Sequence, residues 1–128
     1  MVNVEFYRKK DTGYITAGGI DGDAEQMLGK ITKIIVNGHT GYAKAGTDIV
    51  CAAASATIYT AAGAMSLMCG LPKKNIKERD GYFKLMVPEF KNEGANMIAE
   101  IILETAFIGF KQIEGSYGDF LKVTEIID

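Results

Sequence analysis

The sequence is poor in histidine, in cysteine and in net charge, and each of these scarcities limits the kinds of site or partner that the protein can have. It has one histidine and two cysteines, and 14 basic against 16 acidic side chains give a net charge of −2. That balance lacks the basic footprint of a nucleic-acid-binding protein, so we expect no nucleic-acid partner. The first ten residues alternate apolar and polar side chains, unlike the continuous apolar run of a secretory signal peptide. At 128 residues, the chain has the length of one domain with its own hydrophobic core.

The two cysteines, Cys51 and Cys69, lie in one stretch that is typical of a single continuous helix. Eighteen residues separate them, and at about 1.5 Å rise per residue their Cα atoms would be roughly 27 Å apart. A disulfide requires Cα atoms within about 7 Å of each other. We therefore expect two reduced thiols and a cytoplasmic location, where reducing conditions keep thiols from forming disulfides.

The stretch from Ile49 to Pro72 contains no charged residue and is long enough to cross a lipid bilayer. Its many alanines and its five hydroxyl side chains keep the hydrophobicity per residue modest. It also lacks the flanking basic cluster and the aromatic belt that anchor a membrane helix. We therefore favour a central helix buried in a small core, with a membrane helix as the alternative and no membrane partner expected.

The alternation of apolar and polar residues and the turn signals predict the order of the elements. Strands are predicted at 2–8, around 74–78, at 82–87 and at 119–127. A further strand is predicted to start at 14–16, to be interrupted, and to resume at 31–38. Helices are predicted from Thr47 or Asp48 to about 68 and at 95–114. The order β-β-α-β-β-α-β indicates an α+β fold, in which one mostly antiparallel sheet packs against two helices as a single pair of layers.

Charged residues of the second predicted helix fall on one side of it. Glu100, Glu104, Lys111 and Glu114 lie within a narrow arc at about 100° per residue, which predicts the solvent-exposed face. Phe107 falls in the same arc, where a lone exposed aromatic side chain is either unremarkable or a contact with a second subunit. The second of these interpretations predicts a homodimer that forms through this helix.

The only histidine, His39, follows the strand at 31–38 and precedes Cys51 by twelve residues across a glycine-rich loop. Close to the start of a helix, backbone N–H groups without intrahelical partners and the positive end of the dipole favour a thiolate at Cys51. His39 could serve as its base. Asp48 fits better as a helix cap than as a third catalytic residue, and Ser55, one turn after Cys51, is either a hydrogen-bond partner or a small packing residue. From these residues alone, catalysis and purely structural roles both stay open.

The glycines of this loop suggest a second kind of site, a phosphate cradle. Gly38, Gly41 and Gly46 before a helix start resemble a phosphate-binding loop in outline. Neither GxxxxGK[ST] nor GxGxxG after a strand is present, and Asp48 would repel the phosphate. The sequence DGD at 21–23 likewise lacks the downstream Gly and Glu of a calcium loop. We expect no metal ion and no cofactor.

The stretch GHTGYAKAGTDIVCAAASA, residues 38–56, resembles the signature of the ribosomal-processing cysteine proteases, the Prp family. Members of that family carry a GHAGYA-like and a DIVCAAVSAL-like segment, at the spacing found here between His39 and Cys51. Residues 103–123, LETAFIGFKQIEGSYGDFLKV, resemble the family's C-terminal helix and last strand. The resemblance covers most of the chain and implies one domain over residues 1–128. Two departures are Thr40 in place of the usual Ala and an insert at 17–32.

The resemblance implies a cytoplasmic, homodimeric thiol protease of ribosome biogenesis. By it, Cys51 is the nucleophile and His39 the general base of a Cys-His dyad, with Asp48 and Ser55 as supporting motif positions. The implied reaction removes the N-terminal extension of bacterial large-subunit ribosomal protein twenty-seven, by a cut after paired aromatic residues. Implied loop hinges or substrate-binding positions are Gly38, Gly41, Tyr42 and Gly46. The alternative is a non-catalytic peptide- or ribosome-binding module on the same fold.

Overall fold

The computed structural model of the protein describes residues 1–18, 27–38 and 47–128. Within these ranges it contains five strands and two long helices: β1 (Val2–Lys9), β2 (Lys30–Asn37), α1 (Thr47–Cys69), β3 (Ile76–Arg79), β4 (Tyr82–Met86), α2 (Glu93–Tyr117) and β5 (Leu121–Ile127). A 3₁₀ turn at Lys73–Asn75 precedes β3, and the Asn92 side chain caps α2 by accepting the Ala95 N–H at 3.2 Å. The order of these elements is the predicted one.

The strands form one sheet in the order β3-β4-β2-β1-β5. β1 pairs antiparallel with β2, β2 with β4, and β4 with β3, whereas β5 runs parallel to β1. Both helices pack against one face of this sheet through a shared hydrophobic core. The predicted α+β fold, a mostly antiparallel sheet packed against two helices, is confirmed.

The core lies between the sheet and the inner sides of the two helices. Successive side chains of a strand point to opposite faces of the sheet, and the inward set of β1 and β2 includes the fully buried Val4, Phe6 and Ile34. Helix α1 adds the fully buried Val50 and Met65. Because each large apolar side chain that is buried stabilises the fold by about 1.5–3 kcal/mol, this packing fixes α1 on the sheet.

Helix α1 is uncharged after its first turn, yet only one of its sides is buried. By length and composition alone it could cross a membrane, since its segment Ile49–Cys69 has a mean hydropathy of 1.4, and 33% of that segment is buried. The favoured central helix is thus buried on one side only, and its outer side exposes Leu67 by 90% and Met68 by 65%. The reason is architectural, because a two-layer fold leaves the outer side of each helix uncovered.

The glutamates of the charged arc of α2 face into the fold and Lys111 is exposed, so the prediction that the arc is the solvent-exposed side is wrong for most of it. Glu100 and Glu104 are only 5% and 9% exposed, and Phe107 packs edge-on against Phe6 with ring centroids 5.1 Å apart. Phe107 is therefore an internal packing residue and not an exposed contact. Large apolar side chains are exposed on α2 instead, namely Met97, Ile98, Ile101 and Ile108.

The cause of this inversion is Arg8 of β1, which lies on the buried face of the sheet and is 2% exposed. Its Nη1 and Nη2 donate to the two carboxylate oxygens of Glu104 at 2.5 and 2.9 Å, and its Nε donates to Glu125 at 2.7 Å. The guanidinium lies 4.8 Å from the ring centroid of Phe107. Burial lowers the pKa of Arg8, but the hydrogen bonds and charges of the two glutamates outweigh it and raise that pKa. A buried cation requires such partners, which places the glutamate side of α2 inward.

Two further glutamates on this side of α2 hold backbone N–H groups of neighbouring segments. Glu100 accepts the N–H of Tyr14 at 2.7 Å, and Glu114 accepts the N–H of Val123 in β5 at 2.7 Å. Burial raises the pKa of the Glu100 carboxyl. The hydrogen bonds from Lys111 and from Val123 lower the pKa of the Glu114 carboxyl. These carboxylates therefore attach α2 to the rest of the fold.

The segment before β2 departs from the prediction. The start of a return strand predicted at 14–16 is only an isolated bridge between Thr16 and Met27. Of the insert predicted at 17–32, residues 19–26 lie outside the described residues, and the last three residues belong to β2. A bridge that stands alone lacks the ladder of hydrogen bonds that makes a strand.

Candidate active site

Cys51 lies near the N-terminal end of α1, which begins at Thr47. Thr47 and Asp48 stand at the start of the helix, and the prediction that one of them caps it stays a prediction, because the residues before Thr47 lie outside the described residues. Cys51 is the fifth helical residue and is half-buried. Because helical side chains lean toward the helix N-terminus, its thiol is directed back over the first turn. The catalytic role suggested for Asp48 stays a prediction.

A groove opens beside Cys51, between α1 and the turn that joins β3 to β4. It encloses about 490 Å³, within the range of about 300–1,000 Å³ that is usual for ligand sites. Cys51 and Ser55 lie on its α1 side, and Gly38 lies on it at the end of β2. The structure therefore brings three of the predicted site positions together. The floor is apolar and consists of Val2, Val36, Ile58 and Phe83.

The wall opposite Cys51 along α1 is built from side chains that sequence reasoning missed. Tyr59 packs edge-on against Phe83 with ring centroids 5.6 Å apart, and its hydroxyl donates to Glu78 Oε1 of β3 at 2.8 Å. That hydrogen bond, together with burial and the charge of Glu78, raises the pKa of Tyr59. On the rim, the Arg79 guanidinium lies 4.3 Å from the ring centroid of Tyr82. The signal in the sequence was the spacing of Tyr59, eight residues after the cysteine, which at about 100° per residue places it within about a quarter turn of Cys51 and two turns further along the helix.

Gly38 is held firmly where the chain leaves β2. Its N–H donates to the carbonyl of Gly81, in the β3–β4 turn, at 2.8 Å. Its φ is +102°, and a Cβ added there would lie 2.4 Å from the carbonyl oxygen of Met1. Both the positive φ and the close approach require glycine at this position.

Four predicted site residues, His39, Gly41, Tyr42 and Gly46, lie outside the described residues. The pairing of His39 with Cys51 and the roles suggested for the loop therefore stay predictions. In the sequence, His39 directly follows Gly38, and Gly38 lines the groove.

The second cysteine, Cys69, lies at the opposite end of α1 in a different environment. Its Sγ is 3.5 Å from the carbonyl oxygen of Ala95, and burial raises the pKa of its thiol. Both cysteines carry reduced thiols, as their positions at the two ends of one helix require. In the part of the chain that the structure describes, no group of three or more His, Cys, Asp or Glu side chains could hold a metal ion.

Sequence similarity decides the family of this chain. A sequence model of the family described as "Cysteine protease Prp" matches residues 20–122. The chain belongs to this family. It is 33% identical over 90 residues to the ribosomal processing cysteine protease Prp of Bacillus subtilis, which covers 70% of this chain and 80% of that protein. It is 30% identical over 99 residues to the Prp of Staphylococcus aureus, with 74% and 87% covered. The resemblance to the Prp family is thus confirmed.

Solved structures agree with the Prp family in fold. A Staphylococcus aureus Prp crystallised with a substrate peptide has a TM-score of 0.68 at 23% identity, over 98% of this chain and 99% of that one. A Streptococcus mutans protein has a TM-score of 0.71 at 20% identity, over 100% of this chain and 96% of that one. At these identities the likeness establishes the fold.

Proposed function

We propose that the protein is a cysteine endopeptidase in which Cys51 is the nucleophile and His39 the general base. The observation that carries this proposal is the position of Cys51, at the N-terminal end of α1 and on a groove, in a chain of the Prp protease family. The positive end of a helix dipole favours the thiolate, which is the reactive form of cysteine. Gly38, the sequence neighbour of His39, lies on the same groove.

In the proposed reaction, the Cys51 thiolate attacks the carbonyl carbon of the scissile peptide bond and forms a tetrahedral intermediate. Its collapse breaks the C–N bond, while protonated His39 gives its proton to the leaving amine and an acyl-enzyme thioester remains. A water molecule that His39 deprotonates then hydrolyses the thioester, which releases the carboxylate product and the thiolate. Asp48 and Ser55 are the supporting positions of this site, the latter one helical turn from the nucleophile.

The proposed substrate is the N-terminal extension of the bacterial large-subunit ribosomal protein twenty-seven, cut after paired aromatic residues in the cytoplasm. The curated relatives are named as ribosomal processing proteases, and the Staphylococcus aureus Prp was crystallised with a substrate peptide. In the present chain, the apolar floor of Val36, Ile58 and Phe83 is chemically suited to an aromatic side chain, since burying apolar surface is favourable.

The direct test is incubation of the purified protein with ribosomal protein twenty-seven of the same organism, followed by mass spectrometry of the product. We expect loss of a short N-terminal peptide and a new N-terminus directly after two aromatic residues. A ribosomal protein that stays intact, but binds, would favour the alternative of a non-catalytic peptide- or ribosome-binding module.

Replacement of His39 by alanine tests the general base. We expect kcat/KM at neutral pH to fall by about 10²–10⁴-fold, the usual contribution of a general base. Part of the activity should return at alkaline pH, because an unassisted thiol ionises near pH 8.5. The measurement is a pH–rate profile of wild type and variant on one peptide. A His39→Ala variant with the wild-type rate at pH 7 would exclude His39 from the mechanism.

We further propose that the protein is a homodimer, formed through the outer side of the helix layer. Between α1 and α2 an apolar groove of about 450 Å³ opens on that side, and Ala64, Met68, Ile101 and Ile102 are among its lining residues. The neighbouring Leu67 is 90% exposed. Large exposed apolar patches are typical of protein–protein contacts, and a second copy would bury both helices between two sheets.

The dimer proposal predicts that Ile101→Glu weakens self-association. Ile101 is 59% exposed on the outer side of α2, so a glutamate there leaves the monomer fold intact but would have to be desolvated in the dimer. We expect the dissociation constant to rise by about tenfold or more, as for a central interface residue. Multi-angle light scattering over a concentration series measures it, with Lys122→Glu on β5 as the control. A monomeric wild type, or one that partitions into detergent, would contradict the proposal.

A further inference from the structure

We propose that Tyr59 and Glu78 together form the end wall of the substrate groove and determine which side chains are accepted at its far end. This inference rests on the proposed function, because it assigns a specificity role within the same groove. Neither residue belongs to the loop motif that carries Cys51, and no role in the reaction itself is given to either.

The position of Tyr59 sets the length of the groove. Tyr59 follows Cys51 by eight residues along α1, which at about 1.5 Å per residue is about 12 Å. An extended peptide advances about 3.3–3.6 Å per residue. The groove between Cys51 and Tyr59 therefore holds about three to four substrate residues. These residues lie on one side of the scissile bond, in the part of the substrate that runs along α1.

The hydrogen bond between Tyr59 and Glu78 closes this end. The Tyr59 hydroxyl reaches from α1 to Glu78 Oε1 on β3 at 2.8 Å, and β3 is the outermost strand of the sheet. Phe83 supports the Tyr59 ring from below, edge-on at 5.6 Å between centroids. The bridge thus spans from the helix layer to the sheet edge, and a peptide that lies in the groove meets it directly.

The chemistry of the Tyr59–Glu78 pair predicts which substrate side chains this end of the groove accepts. Tyr59 is 50% exposed, and both Tyr59 and Glu78 line the groove, so a substrate side chain there meets an aromatic ring and a carboxylate. An apolar or aromatic side chain packs against the ring. An acidic side chain meets a like charge, which is unfavourable at close range. We therefore expect aromatic and apolar residues to be accepted at the far end and Asp or Glu to be rejected.

Three variants separate the ring, the hydrogen bond and the charge. Tyr59→Phe keeps the ring and removes the hydrogen bond that holds it to Glu78, so the wall is less ordered before the substrate binds, and KM should rise by at most the worth of that hydrogen bond, about two- to tenfold, with kcat unchanged. Glu78→Gln keeps an acceptor and removes the charge, so the discrimination against an acidic residue at the third or fourth position should fall by about tenfold. Tyr59→Ala removes the ring, so the preference for aromatic and apolar residues at the fourth position should be lost.

The chain offers a matched control, since the hydroxyl of Tyr14 donates to Glu93 in a second Tyr–Glu pair and neither residue lines this groove. Tyr14→Phe and Glu93→Gln should leave the peptide profile unchanged. Each variant is measured with a peptide series that varies the third and fourth positions, as kcat and KM by cleavage and as Kd by fluorescence anisotropy in a Cys51→Ala background.

The cleavage kinetics and the Kd values test the proposed function and the inference separately. If wild type cleaves no peptide, the proposed function fails, and the Kd profiles still decide whether the bridge selects. If the groove variants show the same profile as wild type and as the Tyr14 and Glu93 controls, the inference is overturned, whatever the activity. Selective changes in KM or Kd at the far positions, with melting temperatures within those of the controls, support it.

Discussion

Replacement of Cys51 by alanine is expected to reduce peptide cleavage by about 10⁴-fold or more, because removal of a catalytic nucleophile eliminates covalent catalysis. Cys69→Ala should keep nearly full activity, since Cys69 lies at the other end of α1, far from the groove. The measurement is kcat/KM on one fluorogenic peptide for wild type and both variants.

The same two thiols can be compared without mutation. A thiol-directed alkylating agent near neutral pH should modify Cys51 faster than Cys69, whose pKa is raised by burial and whose thiolate is therefore scarcer. Loss of cleavage should follow modification of Cys51, as read by peptide mapping. Equal modification rates, combined with activity that survives Cys51→Ser, would remove Cys51 from the mechanism.

The second large effect is on stability: Arg8→Met is expected to lower the free energy of unfolding by about 3–5 kcal/mol. The substitution leaves Glu104, 9% exposed, without the guanidinium that binds both of its carboxylate oxygens. The cost of an uncompensated buried charge exceeds the net worth of the pair itself. Urea denaturation followed by circular dichroism measures the change.

Two comparisons make this expectation specific. Lys111→Ala removes the half-exposed partner of Glu114 and should change the free energy of unfolding little, because Glu114 keeps the hydrogen bond from the Val123 N–H and ion pairs open to solvent contribute little. Adding Glu104→Leu to Arg8→Met should recover a substantial part of the loss, since no carboxylate is then buried alone at that position. If Arg8→Met and Lys111→Ala have equal effects, the buried cluster does not stabilise α2 on the sheet.

Helix α2 marks the limit of the sequence-based prediction. Its charged arc was correctly recognised as one face, but the face was assigned to solvent because charges are usually solvated. The decisive residue was Arg8, whose inward direction follows from the alternation of β1 and which lies 96 residues from Glu104 in the chain. A helix periodicity gives the positions that share a side, and the partner across the interface decides which side is inside.

The sequence by itself determined the order of the elements, the α+β class and the placement of both cysteines on one helix. These properties are local: alternation, helix length and turn residues depend on neighbours within a few positions. It also determined the family, because the family model matches the sequence itself over residues 20–122.

Only the tertiary structure decided how the groove is built. Its wall joins Tyr59 of α1 to Glu78 of β3, and its other end joins Gly38 to Gly81. No periodicity connects such pairs, because their contact depends on the sheet order β3-β4-β2-β1-β5 and on the direction in which α1 crosses it. The exposed outer sides of α1 and α2 were also decided by the tertiary structure. An apolar residue in the sequence can lie in the core or on the surface, and only the packing of the two layers determines which apolar residues are buried.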